Sequence, residues 1–177
     1  MRTLLPDPLP PELQEPLARL LEQRRRWGAD THDEVWEGVL HMAPAPRRRH
    51  ANLQAQLLEA LGPLARAGGL TAVGECNLGE PGDCRVPDAS LHRPGPDALY
   101  DTTAALVVEV ISPGDDTWKK LPFYAAHHVD EVLVVDPDTR GVTWMTLGAG
   151  GGYHQAPGSA LVDVTAAGQA QRLRWPG

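Results

Sequence analysis

Cysteine is scarce in this chain: Cys76 and Cys84 are the only two among 177 residues. So few cysteines exclude the disulfide-dense scaffolds of small secreted domains, and a chain of this length can bury a core without cross-links. The N-terminus also lacks the basic-then-apolar pattern of an export signal. We therefore expect the two cysteines to be reduced and structural, although they could face each other across a hairpin.

Long apolar runs are missing too. No stretch approaches the roughly 20 residues of a membrane-spanning helix, which favours a cytoplasmic location. With 42% hydrophobic and 22% charged residues, the composition is that of an ordinary globular protein. Because residues 1–10 contain three prolines, we expect an N-terminal arm and helix over residues 1–30 and one main domain over residues 31–177.

An excess of basic residues is also absent, since the formal net charge is −7. Proteins that coat nucleic acid non-specifically need Lys and Arg to replace counterions, so this class is excluded. An enzyme that acts on nucleic acid is not excluded, because a local basic patch can lie beside an acidic, metal-loaded cleft. The runs Arg24-Arg25-Arg26 and Arg47-Arg48-Arg49 are either such a patch or two solvated helix ends.

Helical spacing occurs in two leucine-rich segments. Leucines that follow Pro11 predict a helix up to Trp27, because proline suits the first turn. A second helix is predicted over residues 48–66, with Pro63 ending or kinking it near its last turn.

Strand patterns dominate the rest of the chain. They predict strands over residues 70–73, 85–91, 104–111, 131–135 and 142–147. A short hairpin is predicted around Glu37-Gly38 and a crossover helix over residues 118–128. The run 104–111 is apolar except at one position, which is typical of a central strand covered on both faces. The predicted fold class is therefore α/β, an α+β-like mixed sheet with one crossover helix and another helix on the opposite face.

Glu109 is the exception in that apolar strand. Its neighbours along one face are Val107 and Ile111, so burial of a lone carboxylate there would cost several kcal/mol. Protonation, a cationic partner or a metal ion can relieve that cost. The residue lies near the C-terminal end of the strand, where open α/β sheets place their sites. A metal site and a structural ion pair with a buried Arg or Lys are the two alternatives.

Asp88 follows Pro87 in a strand-like segment. Proline in a strand marks an edge or a bulge, and a bulge can turn the aspartate inward beside Glu109. Two converging carboxylates repel unless a cation joins them, and ligation by oxygen alone suits Mg²⁺ or Mn²⁺ rather than Zn²⁺. Lys120 shares a helix face with Tyr124 and is either solvated or close enough to such an ion to orient the attacking water.

A series of short motifs occurs in order along the chain. They are Glu34-Val-Trp-Glu-Gly-Val-Leu40, Met42-Ala-Pro-Ala-Pro46, Val86-Pro-Asp-Ala-Ser90, Val107-Val-Glu-Val-Ile-Ser-Pro113, Lys120-Leu-Pro-Phe-Tyr124 and Val132-Leu-Val-Val-Asp-Pro137. Together they resemble the Uma2 family of restriction endonuclease-like proteins in the PD-(D/E)XK superfamily, over residues 33–146. The resemblance implies a central mixed β-sheet flanked by helices, a Mg²⁺ or Mn²⁺ cofactor, and hydrolysis of phosphodiester bonds in nucleic acid, with DNA as the expected substrate.

The resemblance also implies roles for individual residues. It assigns Asp88 and Glu109 as metal ligands. Glu34 matches the family's upstream acid, and His50 matches a histidine at the start of the covering helix. Glu59 is a second choice for an acid on that helix.

The lysine is where the chain departs from the standard motif. That motif has lysine two residues beyond the acid, where this chain has Ile111. The Uma2 pattern instead implies Lys120, from the following helix. Because Pro122 is tolerated only in a first turn, we expect this helix to begin near Lys119, which would leave Lys120 in a frayed turn and misplaced.

The remaining histidines and tryptophans are predicted to be structural. His127-His128 ends a helix, where a cation favours the helix dipole. The histidines without a partner at ligand spacing are His41, His92 and His154. The tryptophans expected in the core or in a lid are Trp36, Trp118 and Trp144.

Three functional hypotheses follow. The first is a Mg²⁺- or Mn²⁺-dependent endonuclease with Asp88, Glu109, Lys120, Glu34 and His50 at its active site. The second is a catalytically silent module that keeps the fold for binding or assembly. The third is a metal-dependent hydrolase of a small phosphorylated substrate. A homodimer is compatible with each, and no membrane partner is expected.

Overall fold

The computed structural model describes residues 3–4, 10–114 and 116–176. Most of the predicted N-terminal arm lies outside the described residues, but Thr3–Leu4 forms strand β1. Within the described ranges, twelve short strands and four α-helices form two mixed sheets with helices packed on them. The predicted mixed α/β class is therefore confirmed.

The larger sheet contains the central strand predicted from the apolar run. Its strands, in spatial order, are β12 (Tyr153–Ala156), β11 (Gly141–Leu147), β10 (Glu131–Asp136), β9 (Leu106–Val110), β7 (Ala89–His92) and β4 (Thr71–Val73). Strands β9 and β10 are parallel and the other neighbours are antiparallel. All residues of β9 are buried, which explains why its sequence is apolar on both faces.

Helix α2 (Arg48–Ala67) covers one face of this sheet. Its buried leucines pack against alternate residues of β9, Val108 and Val110 among them. The predicted bounds of 48–66 agree with the structure to one residue, and the helix continues through Pro63 to Ala67. A proline this close to the C-terminus removes a single backbone hydrogen bond, and the burial of Leu61 and Ala65 on either side of it holds the last turn in place.

The crossover segment lies on the other face. It consists of a 3₁₀ turn, Thr117–Lys120, followed by helix α3 (Leu121–Ala126). Pro122 occupies the first turn of α3, as predicted, and the helix is shorter than the predicted 118–128. Phe123 and Tyr124 pack with Val107 of β9 and with residues of β10 in a second core cluster.

A second six-stranded sheet was not predicted. Its strands, in spatial order, are β1, β3 (Val39–Met42), β2 (Glu34–Trp36), β6 (Asp83–Arg85), β5 (Asn77–Glu80) and β8 (Tyr100–Asp101). The predicted hairpin joins β2 to β3 through Glu37 and Gly38, whose φ angles of 50° and 84° are those of a tight turn. Cys84 lies opposite Gly79, so the two cysteines do not face each other across a hairpin.

The first and last helices differ in how they are attached to the rest of the domain. Helix α1 (Pro11–Arg26) buries none of its residues and is tied to the domain by Arg24, whose guanidinium lies 2.7 Å from an Asp33 carboxylate oxygen. Helix α4 (Ala166–Arg172) packs on β11. No helix in the described part of the chain is both long and apolar enough to span a bilayer.

The substitution Leu57→Ala tests the packing of α2. Leu57 is fully buried between the helix and the larger sheet, so its truncation is expected to lower the free energy of unfolding by about 2–5 kcal/mol. Leu13→Ala, at an exposed position of α1, is the matched control and should change it by less than about 0.5 kcal/mol. Urea denaturation followed by circular dichroism measures both, and equal effects would contradict the packing described.

Candidate active site

The Glu109 carboxylate is buried on the face of β9 that packs against α3. Lys120 donates hydrogen bonds to both of its oxygens, at 2.8 and 3.0 Å, and the Tyr124 hydroxyl donates to Oε1. Glu109 therefore has a cationic partner within the protein, and that partner is a lysine. The ion pair that the sequence left open as an alternative exists, and Tyr124 is a contact that only its spacing from Lys120 hinted at.

Lys120 is positioned by the 3₁₀ turn that precedes α3. Its ammonium group is almost fully buried and also lies 2.9 Å from an oxygen of Glu34. The expectation of a frayed, misplaced lysine is wrong. Because Pro122 falls in the first turn of α3, where its missing N–H breaks no helical bond, the chain can enter the helix directly after Lys120.

Glu34 is a residue of this site that lies in the smaller sheet, on β2. One oxygen of its buried carboxylate accepts from the backbone N–H of Val86 at 3.0 Å, and the other accepts from the indole N–H of Trp36 at 2.8 Å. With Lys120 on the same carboxylate, Glu34 links β2, the segment after β6 and the crossover turn. Trp36 thus serves the site by fixing Glu34.

Asp88 lies between β6 and β7, where Pro87 interrupts the strand. One carboxylate oxygen accepts from the backbone N–H of Val110 at 2.6 Å, and the other lies 2.8 Å from Nε2 of His50. At the end of β9, the Asp88 side chain therefore accepts a backbone hydrogen bond that a neighbouring strand would otherwise accept. This agrees with the expectation that the proline turns Asp88 inward beside Glu109.

His50 connects Asp88 to the end of the central strand. It lies in the first turn of α2, and its Nδ1 is 3.1 Å from the Ser112 hydroxyl. Gln54, one turn further along α2, donates to the backbone carbonyl of Asp88 at 2.6 Å. Helix α2 thus binds both the side chain and the backbone carbonyl of Asp88, which fixes the direction of its carboxylate.

These residues line one cleft of about 370 Å³. The predicted residues that it brings together are Glu34, His50, Asp88, Glu109 and Lys120. Arg47 and Arg49 line the same cleft, so the second arginine run does supply a local basic patch.

Several other candidates lie elsewhere. Glu59 is exposed and is not among the described residues that line the cleft. Nδ1 of His127 lies 3.0 Å from the Thr102 carbonyl oxygen, outside the cleft. Trp144 is fully buried and donates to Glu131, whereas Trp118 is exposed at the surface.

The charges of the cleft are unbalanced. Four carboxylates, of Glu34, Glu75, Asp88 and Glu109, and three cationic side chains, of Arg47, Arg49 and Lys120, line it, which leaves one negative charge in excess when these groups are ionised. Lys120 contacts both Glu34 and Glu109. The pKa of Glu109 is raised to about 7, with burial as the largest cause and the charges of Asp88 and Glu34 adding to it against the lowering effect of Lys120. Burial, with the charge of Glu109 beside it, also raises the pKa of Tyr124, which keeps its hydroxyl a proton donor.

Comparison with known proteins identifies the family. The family model of Uma2, described as "Putative restriction endonuclease", matches residues 17–171. The chain belongs to the Uma2 family. Among solved structures, this Uma2 chain is similar to the crystal structure of a "putative nuclease" from Anabaena variabilis, with a TM-score of 0.66 and 16% identity over 79% of this chain and 90% of that chain. A search of curated proteins finds no match.

The Uma2 match confirms the resemblance found in the sequence motifs and extends it. It begins within α1 and ends in α4, whereas the motifs covered only residues 33–146. The structural likeness, at this low identity, concerns the fold.

Metal-free unfolding tests the electrostatics of Glu109. Since the folded protein raises the pKa of this carboxyl from 4.5 to about 7, it binds more protons than the unfolded chain within that interval. The stability that Glu109 contributes is thus present below the ordinary pKa and is lost as pH rises through about 7. Relative to Glu109→Gln, the wild type should lose unfolding free energy over this range.

Urea denaturation in EDTA at a series of pH values measures this difference. The exposed Glu59→Gln is the matched control and should follow the wild type at every pH. The raised pKa would be contradicted if the unfolding free energy of the wild type, relative to that of Glu109→Gln, stayed constant or increased as pH rises.

Proposed function

We propose that this Uma2 chain is a Mg²⁺- or Mn²⁺-dependent endonuclease that hydrolyses phosphodiester bonds in DNA. The observation that supports this most directly is the convergence of Asp88, Glu109 and Lys120 on one cleft, in a chain whose family is described as "Putative restriction endonuclease".

The donor set fits a hard divalent cation. Asp88 and Glu109 offer carboxylate oxygens to the same cleft, and Mg²⁺ and Mn²⁺ prefer such ligands. A divalent cation held by these two residues would supply positive charge for the scissile phosphate and would acidify the attacking water.

Lys120 orients the attacking water or stabilises charge on a phosphoryl oxygen. Its ammonium donates to both oxygens of Glu109 and also lies 2.9 Å from an oxygen of Glu34. With one Glu109 oxygen engaged by a cation, one N–H of Lys120 would be available to the cleft. Glu34 would keep the ammonium in place, because its carboxylate is held by Val86 and Trp36.

His50 and the arginines complete the proposed machinery. His50 positions Asp88 through the hydrogen bond to its carboxylate, and Ser112 fixes the imidazole from the other side. Arg47 and Arg49 would contact the DNA phosphates, because they line the cleft that contains the acidic residues. A local basic patch allows a chain of net charge −7 to bind a polyanion.

One observation favours the alternative of a catalytically silent module. Both carboxylate oxygens of Glu109 accept hydrogen bonds from the Lys120 ammonium group. A pair of this kind can stabilise the fold without any ion. Turnover decides between the two functions, because only the nuclease needs this pair to open.

Cleavage by lysine variants tests the proposal. Lys119 and Lys120 are the only lysines in the chain. Lys120→Met should lower kcat for Mn²⁺-dependent cleavage of supercoiled plasmid by roughly 10²–10³-fold, because it removes an electrostatic contact to the reacting phosphate. Lys119→Met is the matched control, since Lys119 is exposed and pairs with Asp116, and it should cleave at the wild-type rate.

Gel assays on supercoiled, linear and single-stranded DNA measure these rates. Equal rates for Lys120→Met and the wild type would contradict the proposed role of Lys120. A wild type that binds Mn²⁺ but cleaves none of the three DNAs would contradict the DNA nuclease, in favour of the silent module or of a hydrolase of small phosphorylated substrates.

A further inference from the structure

A second cluster of metal-binding side chains lies outside the cleft. Cys76 immediately precedes β5, Asp101 ends β8, and His92 ends β7. The first two belong to the smaller sheet and the third to the larger one. The cluster therefore lies where the two sheets meet.

The three side chains are already close enough to share one ion. One ligand atom from each residue lies within 4.8 Å of the other two. The Cys76 sulfur is 3.8 Å from Nε2 of His92, and Nδ1 of His92 is 3.9 Å from an Asp101 carboxylate oxygen. Because an imidazole gives one nitrogen to a given ion, either Nε2 or Nδ1 would be the ligand. Zinc bonds of about 2.0–2.3 Å in a tetrahedral arrangement separate neighbouring ligand atoms by roughly 3.3–3.7 Å, so small side-chain rotations would complete the site.

Ser90 holds two of the ligands in place. Its fully buried hydroxyl is 2.8 Å from Nε2 of His92 and 3.4 Å from the Cys76 sulfur. Ser90 and His92 are two residues apart on β7, so both point to the same side of the strand. The cysteine and the histidine are thus oriented toward each other before any ion binds, which lowers the entropic cost of forming a site.

The chemistry of this cluster differs from that of the cleft. A thiolate and an imidazole prefer zinc-class transition metals, whereas a set of carboxylates alone prefers Mg²⁺ or Mn²⁺. Glu75 lines the cleft, but its neighbour Cys76 is not among the described residues that do. The two sets of ligands therefore share no residue and differ in metal preference.

We propose that Cys76, His92 and Asp101 form a binding site for Zn²⁺ or a similar transition-metal ion that joins the two sheets. Binding exchanges the thiol proton of Cys76 for the metal and releases that proton to solvent, with no change of oxidation state. Three protein ligands leave a fourth position for water. The spacing of the residues along the sequence gave no sign of the site, because each comes from a different strand.

Cobalt absorption tests the proposal without any substitution. Co²⁺ bound by a thiolate in a tetrahedral site gives a charge-transfer band in the near ultraviolet. We expect this band in the full-length wild type, and we expect Zn²⁺ to abolish it by displacement. Absence of a thiolate band in the wild type would overturn the proposal.

The two cysteines allow a matched comparison. Cys76→Ser should abolish the band, whereas Cys84→Ser should keep it, because Cys84 is paired within the β5–β6 hairpin, opposite Gly79. A band that persists in Cys76→Ser, or that disappears in Cys84→Ser while circular dichroism shows a folded chain, would overturn the assignment.

Zinc stoichiometry in a Glu109→Ala chain separates the two sites. Equilibrium dialysis should find one Zn²⁺ per chain even though the cleft has lost a ligand. The additional change His92→Ala should weaken zinc binding by at least about tenfold. Zinc binding that disappears with Glu109→Ala alone would assign the ion to the cleft and overturn the second site. This outcome does not depend on nuclease activity.

Discussion

The buried ion pair of Glu109 and Lys120 is the interaction on which the site depends. An unpaired carboxylate buried near the C-terminal end of β9 would be costly, and the crossover segment supplies the lysine that pairs with it. Glu34 lies against the same ammonium, which joins the smaller sheet to the larger one. One lysine therefore organises the turn before α3, the β2–β3 hairpin and the end of the central strand.

A second buried carboxylate in the same fold shows what is unusual about Glu109. Glu131, on the neighbouring strand, accepts hydrogen bonds from the Trp144 indole, the Ser159 hydroxyl and the Ala160 backbone N–H. The hydrogen bonds of the Glu131 carboxylate thus come from neutral donors within the core. Glu109 instead shares a cleft with three other carboxylates, and its pKa is raised even though a lysine is bonded to it. An arrangement that stays electrostatically unfavourable with its partner in place suits a site that receives a further cation.

Much of the site could be predicted from the sequence, because its residues break local patterns. Glu109 interrupts an apolar strand, and Pro87 marks Asp88. The smaller sheet could not be predicted in this way. Its strands have two to four residues, too few for a periodic signal, and most of their pairings join distant segments. The expected misplacement of Lys120 was wrong for a local reason, since the 3₁₀ turn before Pro122 places its ammonium group against Glu109 and Glu34.

A crystal structure with Mn²⁺, with the ion located by its anomalous scattering, tests the central claim most directly. The account predicts an anomalous peak in the cleft, within roughly 2.0–2.6 Å of carboxylate oxygens of both Asp88 and Glu109. It also predicts that Lys120 leaves one Glu109 oxygen while keeping its contact with Glu34. A cleft without such a peak, with both Glu109 oxygens still bonded to Lys120, would contradict the account and would make the ion pair a purely structural element.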